Sequence, residues 1–319
     1  MIASISRRPL KEDTPTPTPE AVRGSRPAWT GRTRGGFAGN WLFIRILRLF
    51  GLRAAYLLLV PVAFYFILFA PKALKASLDY LRRRFKSALP LLLVNSYRHF
   101  FCFGQVLLDR IALADGPGRF RVQEEGLSYI LDAAAGNKGL VLLSAHAGGW
   151  EAAMSLLDKK ELVVNVVMFK GEAENVRRLI ETSARTEQLR ILGVSGSHED
   201  SLAIVAALNR GEVVAMHGDR TLGGRTASLP FLGAPAEFPL WPYAVAAAAG
   251  APLIHTFSAR TGAYAYRFKA WPPVKPVLER GAGEKEPLRK YALAFVSHLE
   301  EFLAEYPFQW FNFYKFWNS

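Results

Sequence analysis

An uncharged apolar segment near the N-terminus restricts the fold of this chain most. Residues 54–70, AAYLLLVPVAFYFILFA, contain no charged side chain. As a helix this segment is about 25 Å long, slightly shorter than the hydrocarbon core of a bilayer. Adding residues 49–52, with Arg53 extended toward the head groups, gives about 33 Å, and Pro61 is expected to kink the helix. We predict a membrane-anchoring helix; the alternative is a buried core helix.

The excess of basic over acidic residues is concentrated on both sides of this segment. Residues 1–53 contain ten Lys or Arg and three Asp or Glu, and residues 71–86 contain six and one. Residues 87–319 contain 24 basic and 23 acidic side chains, although the whole chain carries a net charge of +13. A basic fringe beside an apolar anchor suits anionic lipid head groups, whereas nucleic-acid binding needs a basic face on the folded domain. The distribution therefore predicts membrane lipids as partners and no nucleic acid.

Composition divides the chain into three parts. Residues 1–40, rich in proline and arginine, are predicted to be a disordered basic tail. Residues 41–86 are the predicted membrane anchor with its basic flanks, and residues 87–319 are the predicted catalytic domain. The single cysteine, Cys102, excludes a disulfide within the chain and any Cys-x-x-Cys metal pair.

The catalytic part alternates between helical and strand patterns. This alternation predicts an α/β fold, a central, mainly β-sheet layer flanked by helices and preceded by the anchoring helix. The predicted strands are 139–144, 162–169, 213–216, 252–258 and 263–270. The predicted helices are 88–114, 121–135, 150–157, 173–188, 201–209, 240–249 and 287–305.

One apolar run ends in residues suited to acid–base chemistry. Residues 140–144 (LVLLS) are followed by His146, Gly148, Gly149 and Glu151. A neutral imidazole can remove a proton from a hydroxyl, and a carboxylate on its other nitrogen fixes the tautomer. The two glycines permit a sharp turn, so that Glu151 can fold back on His146. On spacing alone, a core histidine beside a surface glutamate remains the alternative.

A second polar group follows another predicted strand. Residues 217–221 (HGDRT) come directly after residues 213–216. Arg220 can bind a phosphate or carboxylate through two hydrogen bonds, although a surface ion pair between Asp219 and Arg220 is the alternative. His146 has no His-Glu-x-x-His partner, and residues 193–197 lack the spacing of a serine-nucleophile elbow. The sequence therefore predicts neither a metal site nor an acyl-serine.

Taken in order, these blocks resemble the lysophospholipid acyltransferase superfamily with its H-x4-D/E motif, and within it the late lipid A (lauroyl and myristoyl) acyltransferases. Residues 146–151 (HAGGWE) match the motif, and residues 218–220 with 231–236 resemble the second block of that branch. Residues 250–254 resemble the block lining the acyl side. The aromatic ending, residues 307–317, is similar to the aromatic C-terminus of homologues found in aryl-polyene pigment pathways.

The resemblance covers roughly residues 40–317 in order. One position departs from it, because many relatives have a proline after the block at 252–254 where this chain has His255. We assign no role to His255. The glutamate at position 151 is permitted by the motif.

The resemblance implies direct acyl transfer to a hydroxyl of a bacterial lipid or glycolipid, such as a lipid A precursor. His146 would be the general base and Glu151 the acid that holds its imidazole. The residues expected to bind substrate are Gly149, Trp150, Asp219 and Arg220. The acyl donor would be a thioester of acyl carrier protein or of coenzyme A, with no metal or other cofactor. The basic flank is expected to dock the acidic acyl carrier protein, and attraction to lipid head groups alone is the alternative.

The basic flanks also predict a location. The side after the anchor is the more basic, which places the catalytic domain on the cytoplasmic face of the bacterial inner membrane. A monotopic or re-entrant anchor is the alternative to a spanning helix. Two other functions stay open: a catalytically silent scaffold of a lipid or aryl-polyene biosynthetic complex, and a lipid or thioester hydrolase.

Overall fold

The computed structural model describes residues 37–158, 160, 162–170, 189–195, 197–221, 224–278 and 286–317. The chain divides into two units, Met1–Arg32 and Thr33–Ser319, and all described residues belong to the second. The helix predicted at 173–188 and the disordered tail predicted at 1–40 lie outside the described residues, except for 37–40 at the tail's end.

Three helices come first. They are α1 (Phe37–Phe69), α2 (Pro71–Phe85) and α3 (Leu89–Asp115). The backbone of α1 breaks at Gly51, where φ is +80°, and not at Pro61, which keeps helical dihedral angles. A glycine adopts positive φ at little cost, and here the next amide, that of Leu52, donates a hydrogen bond to the Tyr264 hydroxyl at 3.2 Å. The kink predicted at Pro61 is therefore wrong, and the break in α1 lies ten residues earlier.

A buried carboxylate joins these helices to the rest of the fold. Asp109 on α3 is fully buried and accepts hydrogen bonds from the hydroxyl groups of Tyr56 and Tyr266 and from Arg260 Nε. Burial raises the pKa of the Asp109 carboxyl, while these donors oppose the rise. Because Tyr56 lies on α1, the network fixes one face of the apolar helix against the catalytic domain.

Seven strands form the main sheet: β1 (Arg121–Glu125), β2 (Leu140–Ser144), β3 (Val164–Phe169), β4 (Leu189–Val194), β5 (Val213–His217), β8 (Leu253–Gly262) and β9 (Ala265–Ala270). Their order in the sheet is β1–β9–β8–β2–β5–β3–β4. All neighbouring pairs are parallel except β8 with β9. A separate antiparallel hairpin consists of β6 (Thr226–Phe231) and β7 (Ala234–Pro239). Strand β2 is thus central, and ligands of such sheets bind beyond the carboxyl ends of the strands.

Helices cover both faces of the sheet. They are α4 (Leu127–Ala135), α5 (Trp150–Asp158), α6 (His198–Asn209), α7 (Trp241–Ala249) and α8 (Glu286–Glu305). Alternate side chains of β2 enter different cores: Leu140 and Leu142 pack with α4 and α5, whereas Val141 and Leu143 pack with α6, α7 and α8. This is the two-residue period of a strand buried on both sides. The predicted α/β class is confirmed.

The sequence interpretation was wrong in three places. Residues 121–125 form the edge strand β1, not the first turns of a helix, because Gly126 at φ +77° separates them from α4. A Cβ at Gly126 would lie 2.3 Å from the carbonyl oxygen of Ala270, so only glycine fits this close approach. Strand β4 and the β6–β7 hairpin were not predicted. The charged, exposed strand β1 lacks the apolar alternation by which strands are recognised.

Candidate active site

The loop after β2 holds His146 in a tightly fixed backbone. Gly148 donates its amide hydrogen to the Gln309 carbonyl at 2.8 Å, and Gly149 donates to the Ser258 carbonyl at 2.9 Å. Gly148 has φ +60°, and a Cβ there would lie 1.7 Å from the Ser258 oxygen. Phe311 donates its amide hydrogen to the His146 carbonyl at 2.7 Å. The loop is therefore anchored both to β8 and to the C-terminal segment.

The carboxylate that holds the His146 ring belongs to Asp219. His146 Nδ1 lies 2.7 Å from Asp219 Oδ1, and the His146 amide donates to Oδ2 at 3.0 Å. Asp219 lies just beyond β5, and it is 0% exposed. Burial would raise the pKa of its carboxyl, but attraction to His146 in its protonated form and the hydrogen bond from the ring hold that pKa well below its usual range. Asp219 is thus ionised and fixes the Nδ1–H tautomer of His146.

Glu151 has another partner. The structure pairs its carboxylate with Arg110 of α3, with 2.9 Å between Nε and Oε1, instead of with the imidazole of His146. Burial raises the pKa of the Glu151 carboxyl, and the Arg110 charge opposes this. The expected fold-back does not occur because Glu151 lies in the first turn of α5 and faces α3. We therefore correct the expected contact: Asp219, from the second block, takes the position predicted for Glu151.

Two other residues expected to bind substrate have packing partners in the structure. Gly149 lies against Tyr266, since a Cβ at this glycine would be 2.7 Å from the phenol ring. Trp150 is partly buried, and the Arg110 guanidinium lies 5.8 Å from the centre of its ring. These contacts shape the wall of the loop behind His146. Their part in substrate binding stays a prediction.

The C-terminal segment 306–317 completes the site, a role that the sequence did not predict. Trp310 Nε1 donates to Asp219 Oδ2 at 2.9 Å, and Asn312 Nδ2 donates to the same oxygen at 3.1 Å. Asn312 Oδ1 accepts from Arg220 Nε at 3.1 Å, and the Arg220 guanidinium lies 5.6 Å from the Tyr314 ring centre. Asn312 therefore links the carboxylate to the arginine. The sequence analysis used this ending only for its similarity to other proteins, because its polar contacts depend on the tertiary fold.

His217 also belongs to the site. It is the last residue of β5 and pairs in register with Ser144 of β2, two residues before His146. Its Nδ1 lies 3.2 Å from His146 Nε2, and the two rings meet edge to face with centroids 4.2 Å apart. Burial, followed by the proximity of His146, lowers the pKa of His217 well below its ordinary value. The sequence showed His217 beside Asp219 but gave it no role.

Among the described residues, no group of three or more His, Cys, Asp or Glu side chains is arranged to hold a metal ion. His255 has other partners: its Nδ1 contacts His298 Nδ1 of α8 at 2.9 Å, and both rings pack against aromatic side chains. It is a buried core histidine, which agrees with the lack of a role assigned to it.

Residues 108–319 match the family described as bacterial lipid A biosynthesis acyltransferase. This match spans more than half of the chain, so the chain belongs to that family and is an acyltransferase. The resemblance to the lipid A acyltransferases is confirmed, and the narrower similarity to homologues of aryl-polyene pathways stays a prediction.

A solved structure with a similar chain is that of the 1-acyl-sn-glycerophosphate (LPA) acyltransferase PlsC from Thermotoga maritima, which is 15% identical with a TM-score of 0.36. The similarity covers 77% of this chain and 96% of that one. No curated protein matches the sequence.

Proposed function

We propose that this acyltransferase moves a fatty acyl group from an acyl thioester to a hydroxyl of a bacterial lipid or glycolipid, such as a lipid A precursor. The contact between His146 Nδ1 and the buried carboxylate of Asp219 carries the proposal. This contact makes the imidazole a base of fixed tautomer and stabilises its protonated form. A hydroxyl acceptor needs such a base, because an alcohol is a weak nucleophile until its proton is removed.

The reaction then needs no covalent enzyme intermediate. The His146–Asp219 pair takes the proton of the acceptor hydroxyl while that oxygen attacks the thioester carbonyl. The tetrahedral intermediate collapses, the carbon–sulfur bond breaks, and the thiol leaves with the proton. Asp219 keeps its charge throughout and stabilises the imidazolium that forms between the two steps.

Arg220 is suited to an anionic part of one substrate. Its side chain donates to Asn312 Oδ1 at 3.1 Å and to the Phe311 carbonyl at 3.4 Å, which fixes its direction. Asn312, which accepts from Arg220, also donates a hydrogen bond to Asp219, so it connects the arginine to the carboxylate. A guanidinium so oriented recognises a phosphate or carboxylate, the groups that glycolipids and acyl-carrier thioesters carry.

The apolar helix α1 supports a membrane location for this chemistry. The stretch Trp41–Phe69 contains an 18-residue window with a mean hydropathy of 2.1 and is long enough to cross a bilayer, while one face of α1 is packed on α3. The other face is open: Leu57 is 73% and Phe64 57% exposed. The first turns of α3 continue this surface with Leu89, Leu91 and Val94. We place this face in the inner membrane, with the catalytic domain on the cytoplasmic side.

Flotation with vesicles containing phosphatidylglycerol tests the membrane face. Burying one large apolar side chain stabilises by about 1.5–3 kcal/mol, so the double variant Leu57→Arg/Phe64→Arg is expected to bind at least about 100-fold more weakly. Leu202→Arg is the matched control, since Leu202 of α6 is 57% exposed outside this surface. Equal flotation of the double variant and the control would reject the membrane face.

The basic residues of helix α2 have two different proposed roles. Arg84 donates to the carbonyl groups of Leu303 and Ala304, so it fastens α2 to the catalytic domain. Lys72 and Lys75 are exposed and suit an acidic acyl carrier protein. Lys72→Glu/Lys75→Glu is expected to raise the KM for an acyl-carrier-protein thioester about tenfold and to leave the KM for the coenzyme A thioester unchanged. A parallel rise for both donors would contradict carrier docking there.

Comparative lipid mass spectrometry tests the function and identifies the acceptor lipid at the same time. A strain lacking the gene is complemented with the wild type, with His146→Ala, or with the control His198→Gln, whose histidine is exposed on α6. We expect the wild type and the control to restore one acyl group on a lipid and His146→Ala to restore none at equal expression. Restoration by His146→Ala would refute the proposal. Free fatty acid without an acylated lipid would indicate a hydrolase.

A further inference from the structure

The second histidine of the site occupies the position from which a base would act. His217 Nδ1 lies 3.2 Å from His146 Nε2, which is the ring nitrogen of His146 opposite to Asp219. His217 is partly exposed. Within the described residues its Nε2 has no hydrogen-bond partner, and it is not among the buried polar atoms that lack one, so this nitrogen is accessible from the site.

The protons of this chain of groups can be assigned in order. An ionised carboxylate only accepts hydrogen bonds, so His146 Nδ1 carries a proton toward Asp219. Neutral His146 then has its lone pair on Nε2, and His217 must donate from Nδ1. Neutral His217 is favoured by its burial, which lowers its pKa. The lone pair that remains at the end of the chain is therefore that of His217 Nε2.

We propose that His217 is a further catalytic residue, the terminal base of an Asp219–His146–His217 relay that receives the proton of the acceptor hydroxyl. The proposal rests on the acyl-transfer function proposed above and adds the residue that touches the reacting oxygen. If His146 were to act directly, the substrate would first have to break the contact between the two rings.

The relay balances in protons and electrons. The acceptor O–H proton moves to His217 Nε2, and the Nδ1 proton of His217 moves to His146 Nε2. The electron pair left on the acceptor oxygen forms the bond to the thioester carbonyl carbon. When the carbon–sulfur bond breaks, the thiolate takes the proton back from His217 Nε2, and both histidines return to their starting tautomers. Between the two proton transfers the positive charge lies on the imidazolium of His146, beside the carboxylate of Asp219.

Two variants separate a relay from a simple support of the ring. His217→Gln keeps an amide N–H that can donate to His146 Nε2 but cannot pass a proton on, while His217→Ala removes both properties. A relay predicts that both variants lose activity. A positioning role predicts that glutamine restores it.

The experiment uses the full chain in detergent, a thioester of the acyl group identified by mass spectrometry, and a lipid extract of the strain lacking the gene as acceptor. We expect His217→Ala and His217→Gln each to lower kcat by about 10²–10³-fold with little change in the KM of the donor, as loss of a general base does. Millimolar imidazole is expected to recover part of the rate of His217→Ala. His198→Gln is the control, and the melting temperature checks folding.

The outcomes separate this proposal from the function on which it rests. Wild-type kcat in His217→Ala, or in His217→Gln alone, would overturn the relay and leave His146 as the direct base. Activity of His146→Ala in the same assay would instead refute the acyl-transfer mechanism as a whole. Loss of activity in all three variants, with imidazole rescue of His217→Ala, supports the relay.

Discussion

Replacing the two carboxylates of the site one at a time tests which one serves His146. Asp219→Asn removes a charge that lies 2.7 Å from His146 Nδ1. At an effective dielectric constant of about 20, unit charges at this distance attract by about 6 kcal/mol. Since each 1.4 kcal/mol is a factor of ten, losing this stabilisation of the imidazolium should lower kcat by about 10⁴-fold.

The matched variant Glu151→Gln should behave differently. Glu151 forms an ion pair with Arg110, so the change leaves a largely buried guanidinium without its counter-charge. This predicts a loss of stability of about 1–3 kcal/mol and a kcat reduced by less than tenfold in the folded protein. Both variants are isosteric amides, so their effects on packing are comparable.

The assay measures initial rates of acyl transfer for each variant beside its melting temperature. The expected result is a large loss of kcat with a small change in melting temperature for Asp219→Asn, and the reverse for Glu151→Gln. If Glu151→Gln loses kcat at least as strongly as Asp219→Asn while it stays folded, the assignment of the orienting carboxylate to Asp219 is refuted.

Three further predictions concern the surroundings of the pair. Trp310→Phe keeps the ring but removes one donor to Asp219, so kcat should fall about tenfold at most, measured in the same assay. Gly148→Ala should yield little folded protein, judged by gel filtration, because its Cβ would lie 1.7 Å from the Ser258 carbonyl oxygen at φ +60°. His99 is fully buried and its pKa is lowered to about 4, so the unfolded chain binds a proton that the folded one does not. Stability is thus full above about pH 6.5 and should fall by about 1.4 kcal/mol per pH unit down to pH 4, a slope that His99→Gln should reduce in thermal unfolding.

The central layer of the fold could be predicted because its strands are buried on both sides. Residues 140–143 and 213–216 are continuous apolar runs, and the strands predicted at 139–144 and 213–216 are confirmed as β2 and β5. Strand β1 could not be found in this way, since its residues are mostly exposed and charged. The hairpin β6–β7 contains three prolines, which obscure a strand pattern.

The sequence predicted several residues of the site, but it did not predict which of them contact each other. His146 and Asp219 come from neighbouring parallel strands, and both were singled out from the sequence. Which carboxylate faces the ring depends on the direction of α5 and on Arg110 from α3, neither of which local spacing encodes. The same holds for Trp310 and Asn312, which reach Asp219 only through the tertiary fold.

The position of Trp310 and Asn312 near the end of the described chain has a consequence for biosynthesis. The apolar helix α1 leaves the ribosome first, whereas the donors that fix Asp219 emerge after every strand of the sheet. During translation the apolar helix is therefore made long before the carboxylate of Asp219 is held in place. The order of the segments means that the site is completed only after nearly the whole described chain has been synthesised.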